Sequence, residues 1–139
     1  MINFLLKNPS LYRLYQKTVR GKYDEYDFIK FIFSKEIFKN IRMLDICCGD
    51  SFILKYISEY IDDYLGVDSN EKYLKKCRQD WKKFNFMNLD LNQKENVDHL
   101  IKFRPNFIFI NGAIHHLDDS TVKTINFYIK SNFSESYFL

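Results

Sequence analysis

Two cysteines, a glycine and three polar residues stand together in residues 43–51, which read MLDICCGDS. Such a cluster fits either a metal or redox cysteine site, or a strand that runs into a ligand-binding turn. The chain has only three cysteines, Cys47, Cys48 and Cys77. Adjacent cysteines do not easily reach disulfide geometry, an odd count argues against a secreted disulfide framework, and zinc usually takes four ligands at spacings such as C-x2-C. The sequence therefore predicts no metal site here.

Two acids further along stand where a nucleotide-binding fold uses carboxylates. Asp68 ends an apolar segment 19 residues beyond Gly49, and an acid about 20 residues past a glycine turn is the ribose-binding position of such folds. Asp68 could instead cap the next helix, although Ser69 could fill that role. Asp90 ends the next apolar segment, where it could accept the exocyclic amine of an adenine while the following N–H donates to a ring nitrogen. Capping or solvation of Asp90 is an equal alternative.

Two histidines, His115 and His116, follow a fourth apolar segment in INGAIHHLDD. A lone histidine is usually structural, but two in succession at a strand end make one of them a candidate for chemistry near neutral pH. Only one of the pair can face inward, because neighbours on a helix point about 100° apart. Gly112, just before them, permits close backbone approach.

Hydrophobic periodicity predicts the elements that position these residues. Helices are predicted at 8–20, 24–40, 52–60, 69–81, 94–103 and 118–133, and strands at 41–46, 63–68, 84–89 and 105–110, with a fifth strand cut short in 135–139. Strands that alternate with helices indicate a parallel sheet built by right-handed crossovers. We therefore expect one α/β domain, a doubly wound, mostly parallel, Rossmann-like sheet of about five strands preceded by two helices. Ligands of such sheets bind beyond the carboxyl ends of the strands.

Composition excludes several classes of protein. The 139 residues are 28% charged and 46% hydrophobic, with a net charge of +3, which is typical of one globular domain. The densest basic stretch, 75–83, is offset by acids and is too small for a nucleic-acid interface. No apolar run approaches the ~20 residues of a membrane span, and the first ten residues do not form a signal peptide. We expect a cytoplasmic protein that binds no nucleic acid.

Four segments together resemble the class I S-adenosylmethionine-dependent methyltransferases: LDICCGDS (44–51), LGVDSN (65–70), NLDL (88–91) and NGAIHHL (111–117). The resemblance covers roughly residues 8–133. The family usually has glycine at the positions of Cys47 and Ser51. An NAD-binding interpretation is weaker, because the G-x-G-x-x-G pattern is missing.

The resemblance implies S-adenosylmethionine as the cofactor. Asp45 and residues 47–51 would hold its methionine end, Asp68 its ribose and Asp90 its adenine, while Asn111 would lie beside the sulfonium. The first 40 residues would form a lid. The cofactor-binding residues implied are Asp45, Cys47, Cys48, Gly49, Ser51, Asp68, Ser69, Asp90, Leu91, Asn111, Gly112, Tyr12, Tyr15 and Gln16. His115 or His116 would be the catalytic base, if the acceptor needs one.

The family's sheet has seven strands in the order 3-2-1-4-5-7-6, and this chain ends within the fifth. Two functions follow. The chain is a methyltransferase that acts on a small molecule or lipid headgroup, or it is a non-catalytic S-adenosylmethionine-binding module that needs a partner chain. The short fifth strand leaves an apolar sheet edge, which predicts a homodimer through this edge.

Overall fold

A computed structural model describes residues 25–35, 39–132 and 137–138. The predicted helix at 8–20, with Tyr12, Tyr15 and Gln16, lies outside the described residues, as do parts of the predicted lid. No helix in the described part of the chain has the length and apolar character needed to span a bilayer.

The core is a sheet of five parallel strands in the order β3-β2-β1-β4-β5. The strands are β1 (Ile41–Ile46), β2 (Ile61–Asp68), β3 (Asn85–Asn88), β4 (Phe107–Phe109) and β5 (Tyr137–Phe138). The chain winds outward from β1 to β3, then crosses back to β4 beside β1 and continues to β5. The predicted doubly wound α/β fold is confirmed. The direction of winding reverses between β1 and β4, and a crevice opens beyond the strand ends at such a reversal.

The helices cover both faces of the sheet. They are α1 (Glu25–Phe33), α2 (Leu54–Ile57), α3 (Glu71–Asp80), α4 (Lys94–Ile101) and α5 (Asp119–Asn132), with a short 3-10 helix at Ile114–His116. On one face Phe33, Leu54, Ile57 and Leu74 pack over Met43 of β1. On the other face Val97, Leu100 and Ile125 pack over Leu44 and Ile46. β1 is therefore buried on both sides, which explains its continuous apolar sequence.

The helix predicted at 52–60 is shorter than its periodicity suggested. Only Leu54–Ile57 is α-helical. The backbone on either side forms tight turns, in which Leu54 N donates to Ser51 O and Tyr60 N donates to Ile57 O. Its apolar spacing is real, because Ile53, Leu54 and Ile57 are all buried. Their burial, rather than a regular helix, accounts for the pattern.

Candidate functional site

The turn after β1 has an unusual backbone. Cys47, Gly49 and Ser51 all adopt positive φ angles, of 57°, 56° and 50°. This left-handed region costs a residue with a Cβ atom about 1–2 kcal/mol, and glycine avoids that cost. The methyltransferases that the sequence resembles usually have glycine at the positions of Cys47 and Ser51. Here the backbone is left-handed at both positions although neither residue is glycine. We call residues 47–51 the 47–51 turn.

The N–H groups of this turn are mostly used inside the protein. Cys48 N donates to Val67 O at 3.0 Å, Gly49 N to Asp68 Oδ2 at 2.9 Å and Ser51 N to Cys48 O at 2.9 Å. The N–H groups of a turn that leads into a helix can point at an anionic ligand, but these three are paired within the protein. Two of them, on Cys48 and Gly49, fasten the turn to the end of β2, and the third, on Ser51, closes the turn itself.

Asp45 and Ser51 lie beneath the turn. Asp45 is 3% exposed and Ser51 is fully buried, and the hydroxyl oxygen of Tyr64 lies 2.6 Å from Asp45 Oδ2 and 3.0 Å from Ser51 Oγ. Cys77 Sγ approaches Ser51 Oγ at 3.7 Å from α3. The Ser51 side chain therefore anchors the turn from inside. The expectation that Ser51 binds the cofactor is therefore restricted to its backbone, because its side chain is fully buried.

Burial dominates the electrostatics of Asp45. Burial raises the pKa of this carboxyl from 3.8 to about 7. The hydrogen bond from Tyr64 lowers the pKa, and the negative charge of Asp68 raises it. No described residue donates a hydrogen bond to Asp45 Oδ1. One oxygen of a deeply buried acid is therefore left for a donor from outside, such as an ammonium group.

Asp68 joins the 47–51 turn to the start of α3. Its Oδ2 accepts from Gly49 N and its Oδ1 accepts from Asn70 N at 2.7 Å. Burial raises the pKa of Asp68, while the two backbone donors and the nearby His116 lower it. A carboxylate has about four acceptor positions, so two remain for hydroxyl groups of a ligand.

The capping alternative for Asp68 is only partly right. Asn70 is the N-cap of α3, and its side chain accepts from Lys72 N at 3.1 Å. Asp68 supports that cap through Asn70 N but does not replace it. Ser69, the other predicted cap, is exposed and lines the crevice described next.

One crevice gathers residues that lie at or after the ends of four strands, β1, β2, β3 and β4. Among its lining residues are Cys47, Asp68, Ser69, Asp90, Leu91 and His116. All six were predicted from the sequence as site residues, although they are spread over 70 positions of the chain. Asp90 Oδ1 accepts from Asn92 N at 3.1 Å, whereas Leu91 N donates to no described residue. A carboxylate oxygen therefore stands beside an N–H that no described residue uses, and such a pair matches the donor and acceptor of an adenine edge.

The two histidines occupy different positions. They form the 3-10 helix with their rings 3.9 Å apart, and both are exposed. His116 lines the crevice and lies close enough to Asp68 to lower its pKa. His115 is absent from the lining of that crevice. His116 therefore lies on the Asp68 side of the crevice, and His115 lies on the surface of the loop.

The loop after β4 leaves open space at the site. Gly112 has φ +65°, and among the described residues, chain neighbours apart, no atom lies within 4 Å of where a Cβ would stand at Gly112 or at Gly49. Asn111 and Gly112 are exposed. The loop is tied to the β3 side by Asp118 N, which donates to Asn92 Oδ1 at 3.0 Å. Both glycines therefore border unfilled space, as a ligand cradle requires.

The three cysteines are unsuited to thiolate chemistry. Burial raises the pKa of Cys47 to about 12 and that of Cys77 to about 11, and it raises the pKa of Cys48 as well. All three are free thiols. Within residues 25–35, 39–132 and 137–138 no group of His, Cys, Asp or Glu side chains could hold a metal ion. The thiols in and beside the turn are therefore neutral near pH 7.

Two residues of the site, Tyr64 and Asn92, were not predicted from the sequence. Tyr64 looks like an ordinary apolar strand residue, and Asn92 looks like a loop residue. The position of Tyr64, four residues before the strand-end acid, puts it on the same face of β2 as that acid. That spacing was the available signal. The role of Asn92 depends on contacts made in three dimensions. A serine or asparagine cap of α3 was predicted, and Asn70 is the N-cap.

Comparison with known proteins agrees with this geometry. A family model described as a methyltransferase domain matches residues 44–126. No curated protein is a significant match to the sequence. Among solved structures, the plantazolicin methyltransferase BamL, in complex with a triazolic desmethylPZN analog and SAH, has a TM-score of 0.69 at 16% identity, over 96% of this chain and 52% of that one.

Two further structures are similar. An S-adenosylmethionine-dependent methyltransferase from Clostridium acetobutylicum has a TM-score of 0.66 at 14% identity, covering 93% of this chain and 55% of that chain. A SAM-dependent methyltransferase from Archaeoglobus fulgidus has a TM-score of 0.59 at 26% identity, covering 91% and 54%. The chain spans about half the length of these three structures.

The crevice, the strand order and the family match all lead to one assignment. The family model covers more than half of the chain and includes the 47–51 turn, Asp68, Asp90 and both histidines. S-adenosylmethionine, predicted from the resemblance, is confirmed as the cofactor of the family. The chain belongs to the methyltransferase domain family, within the class I S-adenosylmethionine-dependent methyltransferases.

Proposed function

We propose that this chain binds S-adenosylmethionine in the crevice beyond β1, β2 and β3 and transfers its methyl group to a small-molecule acceptor. The observation that carries the proposal is the Asp68 carboxylate, which is held by Gly49 N at 2.9 Å and lines one crevice with Asp90 and Leu91. The Gly49–Asp68 hydrogen bond joins the 47–51 turn, which would hold the methionine end of the cofactor, to the acid that would hold its ribose.

The described residues fit the cofactor in their donors and acceptors. The free oxygen of Asp45 suits an ammonium, the remaining acceptor positions of Asp68 suit two ribose hydroxyls, and Asp90 with Leu91 N suits the adenine edge. Gly49 and Gly112 border open space, so the ligand can approach the backbone closely. When bound, the cofactor supplies a methyl group activated on a sulfonium.

The remaining task of the protein is to position the acceptor and, where needed, to remove a proton. Positioning alone can supply ~7–11 kcal/mol of barrier lowering. Of the two histidines, His116 faces the Asp68 side of the crevice. Either histidine remains a candidate for the general base, through a ring nitrogen that accepts the proton of the acceptor; His116 lines the crevice, whereas His115 does not. An acceptor that is already a free amine or carboxylate needs no base.

The acceptor class is part of the proposal. The sequence NGAIHHL resembles the fourth-strand motif of family members that act on small molecules and lipid headgroups. The solved relatives include the plantazolicin methyltransferase and an amino pentose methyltransferase. These names concern other proteins, and they support a small-molecule acceptor without identifying it.

Isothermal titration with S-adenosylhomocysteine tests the binding half of the proposal. The wild type should bind it, and Asp68→Ala should weaken binding at least tenfold, because two hydrogen bonds to a charged group are lost. Asp62→Ala is the matched control, since Asp62 is an exposed acid on the same strand. No binding by the wild type, or equal affinity in Asp68→Ala, would contradict the proposal.

A non-catalytic cofactor-binding module is the second candidate. It is favoured by the site itself, because the groups that suit the cofactor lie in or beside one crevice, whereas His115, one of the two candidate bases, does not line it. A screen for S-adenosylhomocysteine release with candidate acceptors separates the two functions. Release that depends on an acceptor supports the enzyme, whereas binding without any release supports the module.

We also propose that the chain forms a homodimer through its β5 edge. β5 is the outermost of the described strands, and it pairs with β4 through only two residue pairs, Phe107–Tyr137 and Ile108–Phe138. An exposed strand edge offers free backbone groups for pairing. Sedimentation velocity at tens of micromolar protein should show a dimer, and a monomer at that concentration would contradict the proposal. Cytoplasmic location and the absence of nucleic-acid binding stay predictions.

A further inference from the structure

We propose that Tyr64 is a positioning residue for the cofactor, which fixes the Asp45 carboxylate and the 47–51 turn relative to each other without contacting the ligand. The inference rests on the proposed function, because it assigns Asp45 to the ammonium of the cofactor. No part of the sequence motif includes Tyr64.

The geometry places one phenol between two elements of the site. The Tyr64 hydroxyl lies 2.6 Å from Asp45 Oδ2, at the end of β1, and 3.0 Å from Ser51 Oγ, in the turn. Tyr64 has no exposed surface, and its ring packs against Phe84 and Phe86 at centroid distances of 5.4 and 5.7 Å. A ring held in this way cannot move far, so its hydroxyl is a fixed point between β1 and the turn.

The chain has a particular need for such a fixed point. Ser51 has a φ of 50°, at a position where glycine would adopt this conformation without cost. A strained residue keeps its conformation only when the surrounding structure holds it. The Ser51 hydroxyl, fully buried next to Tyr64 and 3.7 Å from Cys77 Sγ, supplies that hold. Tyr64 therefore supports a turn that has serine instead of glycine at position 51.

The same hydroxyl also controls the charge of Asp45. Burial raises the pKa of Asp45, and the Tyr64 hydrogen bond opposes that rise. The other titratable groups that influence Asp45 or are influenced by it are Asp68 on β2, Cys47 and Cys48 in the turn and Cys77 on α3. The thiols stay neutral near pH 7, because burial raises their pKa values. Tyr64 is therefore the neighbour that stabilises the ionised carboxylate an ammonium ligand needs.

Titration of the full chain with S-adenosylhomocysteine at about pH 6, 7, 8 and 9 tests this inference, with Tyr64→Phe compared to the wild type. Without the phenol hydroxyl the pKa of Asp45 rises, so the midpoint of the affinity–pH curve should move up by about one pH unit. Tyr64→Phe should then bind about tenfold more weakly at pH 6 and equally well by about pH 9. The ammonium of the ligand and Asp68 titrate in both proteins. The difference between the two affinity–pH curves therefore measures the effect of removing the Tyr64 hydroxyl.

A purely structural role predicts a different result. If Tyr64 only supported the fold, Tyr64→Phe would weaken binding by the same factor at every pH, and such parallel curves overturn the inference. Absence of binding by the wild type at all pH values overturns the proposed function itself. The two failures are therefore distinguishable.

Ser51→Ala is the second variant, and it decides the matter should Tyr64→Phe not fold. It leaves the Tyr64–Asp45 hydrogen bond in place, so its affinity–pH midpoint should stay at the wild-type value. Its affinity should fall about two- to tenfold at every pH, as expected for the loss of one hydrogen bond that holds the turn. An unchanged affinity, or a shifted midpoint, would overturn the coupling of Asp45 to the turn through Tyr64.

Discussion

The buried carboxyl of Asp45 should make the stability of this protein depend on pH. Asp45 is 3% exposed, and its pKa in the folded chain is about 7 against 3.8 for the free side chain. The folded state therefore holds a proton on Asp45 between pH 3.8 and about 7, where the unfolded chain has lost it. Stability falls as pH rises wherever the folded state binds more protons.

The size of the effect follows from these two pKa values. A difference of one pKa unit corresponds to about 1.4 kcal/mol, so the rise from 3.8 to about 7 corresponds to about 4 kcal/mol of folding free energy. This contribution is fully present below pH 3.8 and is lost by about pH 7. It is a large fraction of the roughly 5–15 kcal/mol that stabilises a typical domain.

Asp45→Asn isolates this contribution. An asparagine can still accept the hydrogen bond from Tyr64, but it has no charge to lose, so the variant should lack the Asp45 part of the pH dependence. Asp68 has its pKa raised by burial in the same direction, and it is retained in both proteins. The free energy of unfolding of Asp45→Asn minus that of the wild type should increase by about 3 kcal/mol from pH 5 to pH 8.

Urea unfolding followed by circular dichroism at several pH values measures this difference. The buried amide of the asparagine can lower stability by a constant amount, so the slope with pH is the quantity that matters. Asp62→Asn makes the same chemical change at an exposed position of β2 and should run parallel to the wild type. If the stability of Asp45→Asn changes with pH in the same way as that of the wild type, ionisation of Asp45 does not destabilise the folded state, and the reasoning is refuted.

Three further predictions concern the backbone around the site. In Gly66→Ala the new Cβ would lie 2.9 Å from the Phe86 ring and 3.0 Å from Cys48 Sγ, so urea unfolding should show a loss of about 1–3 kcal/mol, and unchanged stability would contradict the packing. Cys47→Gly relieves the left-handed backbone at φ 57° and should raise stability by about 0.5–1 kcal/mol; a loss by the same measurement would show that packing of the thiol matters more. Asn92→Ala removes the acceptor of Asp118 N, so hydrogen exchange of that amide should speed up while global stability changes by less than about 1 kcal/mol.

Much of the site was predictable because its acids occupy strand ends. Apolar runs of four to eight residues bounded by polar turns mark buried strands, and strand-end positions share one edge of a parallel sheet. Asp68 and Asp90 could therefore be placed in one crevice from their positions in the sequence, and the structure puts both in its lining. The β1 bounds, 41–46, were also predicted as they are observed.

Other features could not be predicted, because they depend on contacts between distant residues. Tyr64 is 19 residues from Asp45 and 13 from Ser51. Its spacing from Asp68 places it on one face of β2, but no local pattern shows which residues its hydroxyl meets. The same holds for Asn92, which meets Asp118 across 26 residues. The inward orientation of the Ser51 side chain, towards Tyr64, could not be predicted for the same reason.

The sequence by itself determined the kinds of element, their order and the acids at their ends, because side-chain periodicity and polarity are local properties of the chain. Only the tertiary structure decided the left-handed backbone at Cys47 and Ser51, the length of α2, the burial of Asp45 and the histidine that lines the crevice. Each of these depends on how elements pack against one another, and packing sets both the backbone angles and the local dielectric that a residue experiences.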